Sequence, residues 1–329
     1  MIMKYIYDGF IKQNIAPVGA KRLVIYNEDD VEVFSIALGT LAPPTENKLY
    51  SFGLISDSHL QPATGINEDM KLDNALTWFE EQGAEFVCHC GDITNHGFWN
   101  SDGTQDLTQF AEFQRICNLH PNLPVYAVCG NHDSYFQSIT GTLTNLETYT
   151  GHGLYYSVTK DDDMFIILGQ PTGATPMSTE AFQWLQNTLS SNSSKRFFIF
   201  VHAYLDSGNA HNSYGNNLFE SWANTSEFKT LLSNYNTTLF HGHSHITFDH
   251  QKTDKTANYA NNGFHSIHVP CVMGYREIIE GETPFESLGY LVDVHENFII
   301  LRARDFGKES SGAMIDPKWV PIATYKIET

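Results

Sequence analysis

Apolar positions along the chain come in short blocks, and the spacing inside each block separates strands from helices. RLVIYN and VEVFSIAL, between Arg22 and Leu38, are β-rich runs joined by Asn27-Glu28-Asp29-Asp30, and together they read as a hairpin. Residues 41–48, with Pro43-Pro44, read as a stiff linker. Residues 1–48 are therefore expected to form a small β appendage, free of recognisable chemistry, as either a docking module or the remnant of a larger one. From Leu49 the rhythm becomes strand and then amphipathic helix, as in an α/β domain. LYSFGLIS is a strand, and Leu72, Ala75, Leu76 and Phe79 form the apolar stripe of a helix that Asn67 can cap and Gly83 can end. Further strands are expected at 86–90, 125–129, 154–158, 164–168, 197–201 and 238–240, with helices near 107–117, 178–189 and 227–235. The stretch 264–329 is strand-rich, with a hairpin turning at Glu296-Asn297. Residues 49–329 then make one large α/β domain behind the appendage.

The strands stop on polar residues rather than on ordinary turns. PVYAVCGNHD runs from apolar strand into Gly130 and delivers Asn131, His132 and Asp133 in one tight loop. Metal-binding side chains follow strands in the same way at Asp57-Ser58-His59, Gly91-Asp92, His202 and Gly242-His243-Ser244-His245. Open α/β sheets bind ligands beyond the carboxyl ends of their strands, so loops far apart in sequence can converge. In extended backbone, residues i and i+2 point the same way, which would let Asp57 act with His59 and His243 with His245. Aspartate, histidine and asparagine donors without cysteine suit divalent manganese, iron, zinc, nickel or cobalt, and this many donors point to a binuclear site.

Composition narrows the partners. Against 38 acidic residues stand 19 basic ones, a formal charge of −19 that opposes unaided capture of a long polyanion or an anionic membrane surface. The opening MIMKYIYDGFIKQ lacks the uninterrupted apolar core of a secretory signal, and 197–201 is far too short to span a bilayer. The expectation is a cytoplasmic protein with no membrane association. The five cysteines, Cys88, Cys90, Cys117, Cys129 and Cys271, are odd in number and mostly lie in apolar runs, so they read as free thiols.

Taken in order, Asp57-x-His59, the GDITNHG segment from Gly91 to Gly97, Gly130-Asn131-His132-Asp133, His202 and Gly242-His243-x-His245 resemble the motif set of the calcineurin-like metallophosphoesterase superfamily, across roughly residues 50–250. The resemblance implies a layered α/β/β/α sandwich holding two divalent metal ions. By the same likeness Asp57, His59 and His245 would hold one ion, Asn131, His202 and His243 the other, and Asp92 would bridge them. The reaction implied is hydrolysis of a phosphate mono- or diester by a metal-bridging hydroxide. His132 resembles the family's non-ligand histidine, which stabilises the phosphoryl group or protonates the leaving oxygen, and Asp133 is expected to orient its imidazole. His96, Tyr135, Tyr204, His211 and Tyr214, on loops after the ligand motifs, are candidates to line a substrate pocket, whereas His89, His241, His265 and His268 read as structural or supporting.

Departures from subfamily patterns refine the choice. Asn95 stands where purple acid phosphatases carry a tyrosine ligand, and the second motif lacks the arginine of the protein Ser/Thr phosphatases, whose third motif ends in glutamate rather than Asp133. The pattern is most similar to the cyclic-nucleotide phosphodiesterase-like branch, and a small phosphorylated substrate is expected. A nuclease acting on single-stranded nucleic acid and a non-catalytic assembly module on the same scaffold are the alternatives. The acidic composition disfavours the first, and the full ligand set disfavours the second.

Overall fold

The computed structural model describes residues 2–7, 10–13, 22–26, 32–37, 48–61, 68–97, 108–134, 146–169, 177–203, 225–243, 245, 258–259, 263–273, 287–306 and 318–328. They divide into two compact units, Met1–Leu49 with Val294–Phe298, and Tyr50–Asp293 with Ile299–Thr329. The smaller unit contains an antiparallel sheet in the order β2-β1-β3-β4, from β1 (Ile2–Tyr7), β2 (Phe10–Gln13), β3 (Arg22–Tyr26) and β4 (Glu32–Ala37). The β3–β4 pair is the hairpin expected from sequence, with a register shift between Ile25 and Tyr26. The β1–β2 pair was not expected, because such short runs without strict alternation carry little strand signal.

The larger unit is built on two six-stranded sheets. One runs β16-β15-β14-β5-β6-β7 and the other β12-β13-β11-β10-β9-β8. The strands are β5 (Tyr50–Ile55), β6 (Val87–His89), β7 (Val125–Ala127), β8 (Tyr155–Lys160), β9 (Asp163–Leu168), β10 (Arg196–Phe200), β11 (Thr237–His241), β12 (Asn258–Tyr259), β13 (His265–His268), β14 (Leu288–Val294), β15 (Phe298–Asp305) and β16 (Lys318–Glu328). Pairing is parallel from β5 through β6 to β7, and from β9 through β10 and β11 to β13. Buried parallel strands need apolar residues on both faces, and RFFIF of β10 shows why. Phe197 and Ile199 pack among Leu185, Leu189, Phe228 and Leu232 of the helices α3 (Thr179–Ser191) and α4 (Thr225–Ser233). Their alternates Phe198 and Phe200 turn to the other side and meet Phe52 of β5 at centroid distances of 6.0 and 6.4 Å. Phe52 also meets Phe165 edge-on at 5.3 Å, so aromatic rings fill the space between the sheets. Helices α1 (Glu68–Glu81) and α2 (Thr108–Leu119) cover the outer face of β5–β7 through Leu72, Leu76, Phe79, Phe110, Phe113 and Ile116. The layering is α/β/β/α. Ser178 caps α3 by accepting the Ala181 N–H at 3.1 Å, whereas the expected cap Asn67 of α1 lies outside the described residues.

One polar cluster joins the two sheets at their starts. Arg196, at the head of β10, grips Asp163, at the head of β9, with Nε on Oδ1 at 2.7 Å and Nη2 on Oδ2 at 2.8 Å, and the Tyr50 hydroxyl donates to Asp163 Oδ2. Breaking such a buried pair strands its partner's charge. Asp163→Ala is expected to lose about 3–5 kcal/mol of stability, read from the urea midpoint; a loss under about 1 kcal/mol, the range of exposed pairs, would show that the cluster is solvated.

Candidate metal centre

The carboxyl ends of β5, β6, β7, β10 and β11 carry the five motif loops, and the larger unit brings their side chains together. Asp57, His59, Asp92 and His245 form one group and Asp92, His202 and His243 another, each offering ligand atoms within 4.8 Å of one another. Asp92 belongs to both. Its Oδ2 lies 3.1 Å from His202 Nε2 and 3.6 Å from His59 Nε2. In the first group His245 Nε2 stands 3.0 Å from Asp57 Oδ1 and 3.1 Å from His59 Nε2. In the second, His202 Nε2 and His243 Nδ1 are 3.0 Å apart.

The backbone reaches this arrangement by left-handed kinks, not by the extended pairs expected from sequence. Six described residues other than glycine have positive φ, and five of them are candidate ligands: Asp57 (55°), His59 (43°), Asp92 (52°), His243 (69°) and His245 (52°). Each costs of order 1–3 kcal/mol and persists only where the surroundings over-determine it. Two glycines supply the close approach. A Cβ at Gly130 would overlap Asp92 Oδ1, and one at Gly242 would overlap Ser56 Oγ and lie 2.5 Å from Asp57 Oδ2.

Hydrogen bonds around the ligands set which atoms face inward. His202 Nδ1 donates to the Cys90 carbonyl at 2.8 Å, which turns Nε2 toward Asp92. The His243 N–H donates to Asp57 Oδ2 at 3.0 Å and the His132 N–H to Asp92 Oδ1 at 2.8 Å. His89 accepts the Gly91 N–H on Nδ1 at 3.2 Å and donates from Nε2 to Ser58 Oγ at 3.0 Å, so it ties together the loops after β5 and β6. His241 and His268, also in strands, form a ring pair at 5.5 Å, and His265 begins β13.

The electrostatics fit cation binding. Burial, the largest influence, lowers His59 to about 4 and His243 to about 3, so both imidazoles are neutral and able to ligate. Burial opposes ionisation of Asp57 and Asp92 as well, yet His245 beside the first and His202 beside the second hold both well below the usual carboxylate range. Burial likewise works against a charged His202, but Asp92 raises it to about 9. Ligand nitrogens and carboxylate oxygens thus crowd together around too little positive charge, which divalent cations would supply. Asn131 Oδ1 is buried with no hydrogen-bond partner among the described residues, on a residue whose neighbours Gly130 and His132 both lie against Asp92, as an unused donor to such an ion would be.

Asp133 differs from expectation. Its carboxylate accepts the Thr94 N–H at 2.9 Å, the Thr94 hydroxyl at 3.0 Å and the Gly130 N–H at 2.8 Å, so it binds the loops after β6 and β7 to each other. The His132 imidazole is instead held by a backbone group, with Nδ1 donating to the Asn95 carbonyl at 2.7 Å. Its ring lies edge-on to His59 at 4.6 Å. A short carboxylate inside a turn finds backbone amides more readily than the ring next door. His96 lies beside Asn95, 3.2 Å from its side-chain amide, while Tyr135, Tyr204, His211 and Tyr214 fall outside the described residues. Sequence reasoning passed over Gln109 and Thr94, whose contacts here are largely with backbone amides and so leave no motif signature. All five cysteines are free.

Asp92→Asn is expected to weaken metal loading in both clusters together, and Gly242→Ala to do the same by displacing Asp57. Metal-to-protein ratios after reconstitution and desalting measure this. An unchanged ratio of two in Asp92→Asn would remove the bridge.

Comparison with known proteins agrees with this geometry. The sequence profile of the family described as Calcineurin-like phosphoesterase matches residues 50–247, more than half of the chain. No curated protein matches the chain. Among solved structures, a dimetal phosphatase from zebrafish (Danio rerio) is similar at a TM-score of 0.58 with 15% identity, over 86% of this chain and 99% of that one. A purple acid phosphatase from yellow lupin (Lupinus luteus) seeds is similar at 0.57 with 13% identity, over 93% of this chain and 59% of that one. At such identities these two likenesses speak for the fold. With the family profile spanning all five motif loops and the donor clusters gathered at their tips, the chain belongs to the calcineurin-like phosphoesterase family, the metal-dependent phosphoester hydrolases.

Proposed function

We propose that this protein is a binuclear phosphoesterase that hydrolyses the phosphate mono- or diester of a small molecule, in the manner of the cyclic-nucleotide phosphodiesterase-like branch. The observation that carries the reading is the sharing of one buried carboxylate, Asp92, by two donor clusters. Asp57, His59 and His245 are assigned to one cation, and Asn131, His202 and His243 to the other. Bound there, two divalent ions supply Lewis acidity toward the phosphoryl oxygens and lower the pKa of an attacking water; manganese is the first candidate. Asp92, held by the His132 N–H, keeps the two sites in register. The Cys90 carbonyl keeps His202 in the tautomer that presents Nε2. With Nδ1 engaged by the Asn95 carbonyl, His132 would hold or give a proton through Nε2, at the phosphoryl group or the leaving oxygen.

The side chain of Asn95 donates to Gln61 Oε1 at 2.6 Å, which supports a ligand set without the tyrosine of purple acid phosphatases. A formal charge of −19 favours a small substrate over nucleic acid. Among the described residues no helix is long and apolar enough to cross a membrane. Free cysteines suit the cytoplasm, where we place the protein, and we assign the four-stranded N-terminal sheet to docking on another protein.

The test is a screen of p-nitrophenyl phosphate, bis-p-nitrophenyl phosphate, cyclic nucleotides and single-stranded DNA after reconstitution with manganese, iron, zinc, nickel or cobalt. Metal-dependent turnover of a small ester is the expected result. Turnover of DNA alone would favour the nuclease, and silence across the panel would favour an assembly module. His132→Ala is expected to keep its metals and lose about 10²–10⁴-fold in turnover of an ester whose leaving alkoxide needs a proton, such as a cyclic nucleotide; loss of the metals instead would make His132 a ligand.

A further inference from the structure

The turn 94–97 is held amide by amide. Asp133 takes the Thr94 N–H at 2.9 Å, and Thr94 Oγ1 takes the Gly97 N–H at 2.9 Å. Between them, one side-chain oxygen from a different element takes two consecutive amides: Gln109 Oε1 accepts the His96 N–H and the Asn95 N–H, each at 3.0 Å, the latter shared with the Leu60 carbonyl at 3.2 Å. Gln109 lies in the first turn of α2, outside every motif, and is completely buried. A buried glutamine that spends its oxygen on two backbone amides of another segment fixes the direction of the intervening peptide plane, because the groups on either side of that plane are pinned as well. Its neighbour, the carbonyl of Asn95, is the group that receives His132 Nδ1–H at 2.7 Å. A carbonyl only accepts, so this contact selects the Nδ1–H form of the ring and sets its plane.

We propose that Gln109 is a positioning residue for His132: by clamping the Asn95 and His96 amides it aims the Asn95 carbonyl that fixes the tautomer and orientation of the imidazole. Gln109 belongs to neither donor cluster, and its Oε1 acts on the turn. The inference rests on the reading of His132 as the group that protonates the leaving oxygen. It adds that the first turn of α2 controls that step, while metal loading is left to the strand-end loops.

The consequence is selective. An ester with a poor leaving group, such as benzyl phosphate, needs the proton, whereas p-nitrophenyl phosphate departs largely without it. Gln109→Met, which keeps the length but removes the acceptor, is expected to lower kcat on benzyl phosphate about 10–100-fold, the scale of a misplaced catalytic group. On p-nitrophenyl phosphate it should lose less than about threefold, with KM and the metal-to-protein ratio unchanged. Gln109→Glu, which keeps an acceptor oxygen, should restore kcat on both. Gln109→Asn, a milder change that withdraws the oxygen by one methylene, should reproduce the split and carries the test if Gln109→Met does not fold. Independently of turnover, ¹⁵N imidazole shifts of His132, assigned by its loss in His132→Ala, should report one Nδ1–H tautomer in the parent protein and a mixture in Gln109→Met. Equal loss on both esters, or an unchanged tautomer in Gln109→Met, overturns the role of Gln109. If His132→Ala itself shows no leaving-group split, the reading of His132 fails, and the tautomer measurement still decides whether Gln109 orients it.

Discussion

Two ionised carboxylates kept almost entirely from solvent, Asp57 at 0% and Asp92 at 1% exposure, set the terms for the larger unit. Isolated, each would cost several kcal/mol to bury. Here imidazoles face one oxygen of each, while the other oxygen takes a backbone amide from a neighbouring loop: Asp57 from His243, and Asp92 from His132. The same bonds that compensate the charge stitch the strand-end loops together. Asp57 follows β5 and holds the loop after β11, so it ties one sheet to the other; Asp92 follows β6 and holds the loop after β7. Asp133 closes the circuit in the opposite direction, from β7 back to Thr94.

That convergence is bought with backbone strain, since five candidate ligands sit in the left-handed region. The strain is sustained by a scaffold with no freedom to relax. Phe52, Phe165, Phe198, Phe200 and Phe240 interlock between the sheets, and the parallel registers leave no room for a one-residue slip without turning every side chain to the wrong face. Rigid strands deliver their ends to fixed points, and the loops then have a single way of meeting. The donors stand at the strand ends, and the ring of His132, from one of those same loops, rests against a turn pinned by α2.

The strands and helices of the larger unit were legible because their periodicity is local. RFFIF and DMFIIL carry apolar residues on both faces, and the stripe of Leu72, Ala75, Leu76 and Phe79 has helical spacing. The β1–β2 hairpin carried no comparable pattern. At the site, residue type and order announced the donors, but not how they would be presented. Asp57 with His59 and His243 with His245 looked like same-face neighbours on extended chain, whereas each turns through positive φ. Asp133 looked like the partner of the adjacent imidazole, whereas the amide and hydroxyl of Thr94, more than thirty residues upstream, and the Gly130 amide claim it.

Sequence alone determined the chemical inventory: which side chains can ligate, that each follows an apolar strand, and that glycines adjoin them where close approach is needed. Those properties depend on neighbours within a few positions, so they survive in a linear reading. Tertiary structure decided the pairings, among them Asp92 between two clusters and the Asn95 carbonyl against His132. It also decided the use of Gln109, a residue with no sequence signature, as the clamp on a distant turn. Such choices are made by backbone groups, which every residue carries alike, so only folding into one arrangement of loops can tell which amide meets which oxygen.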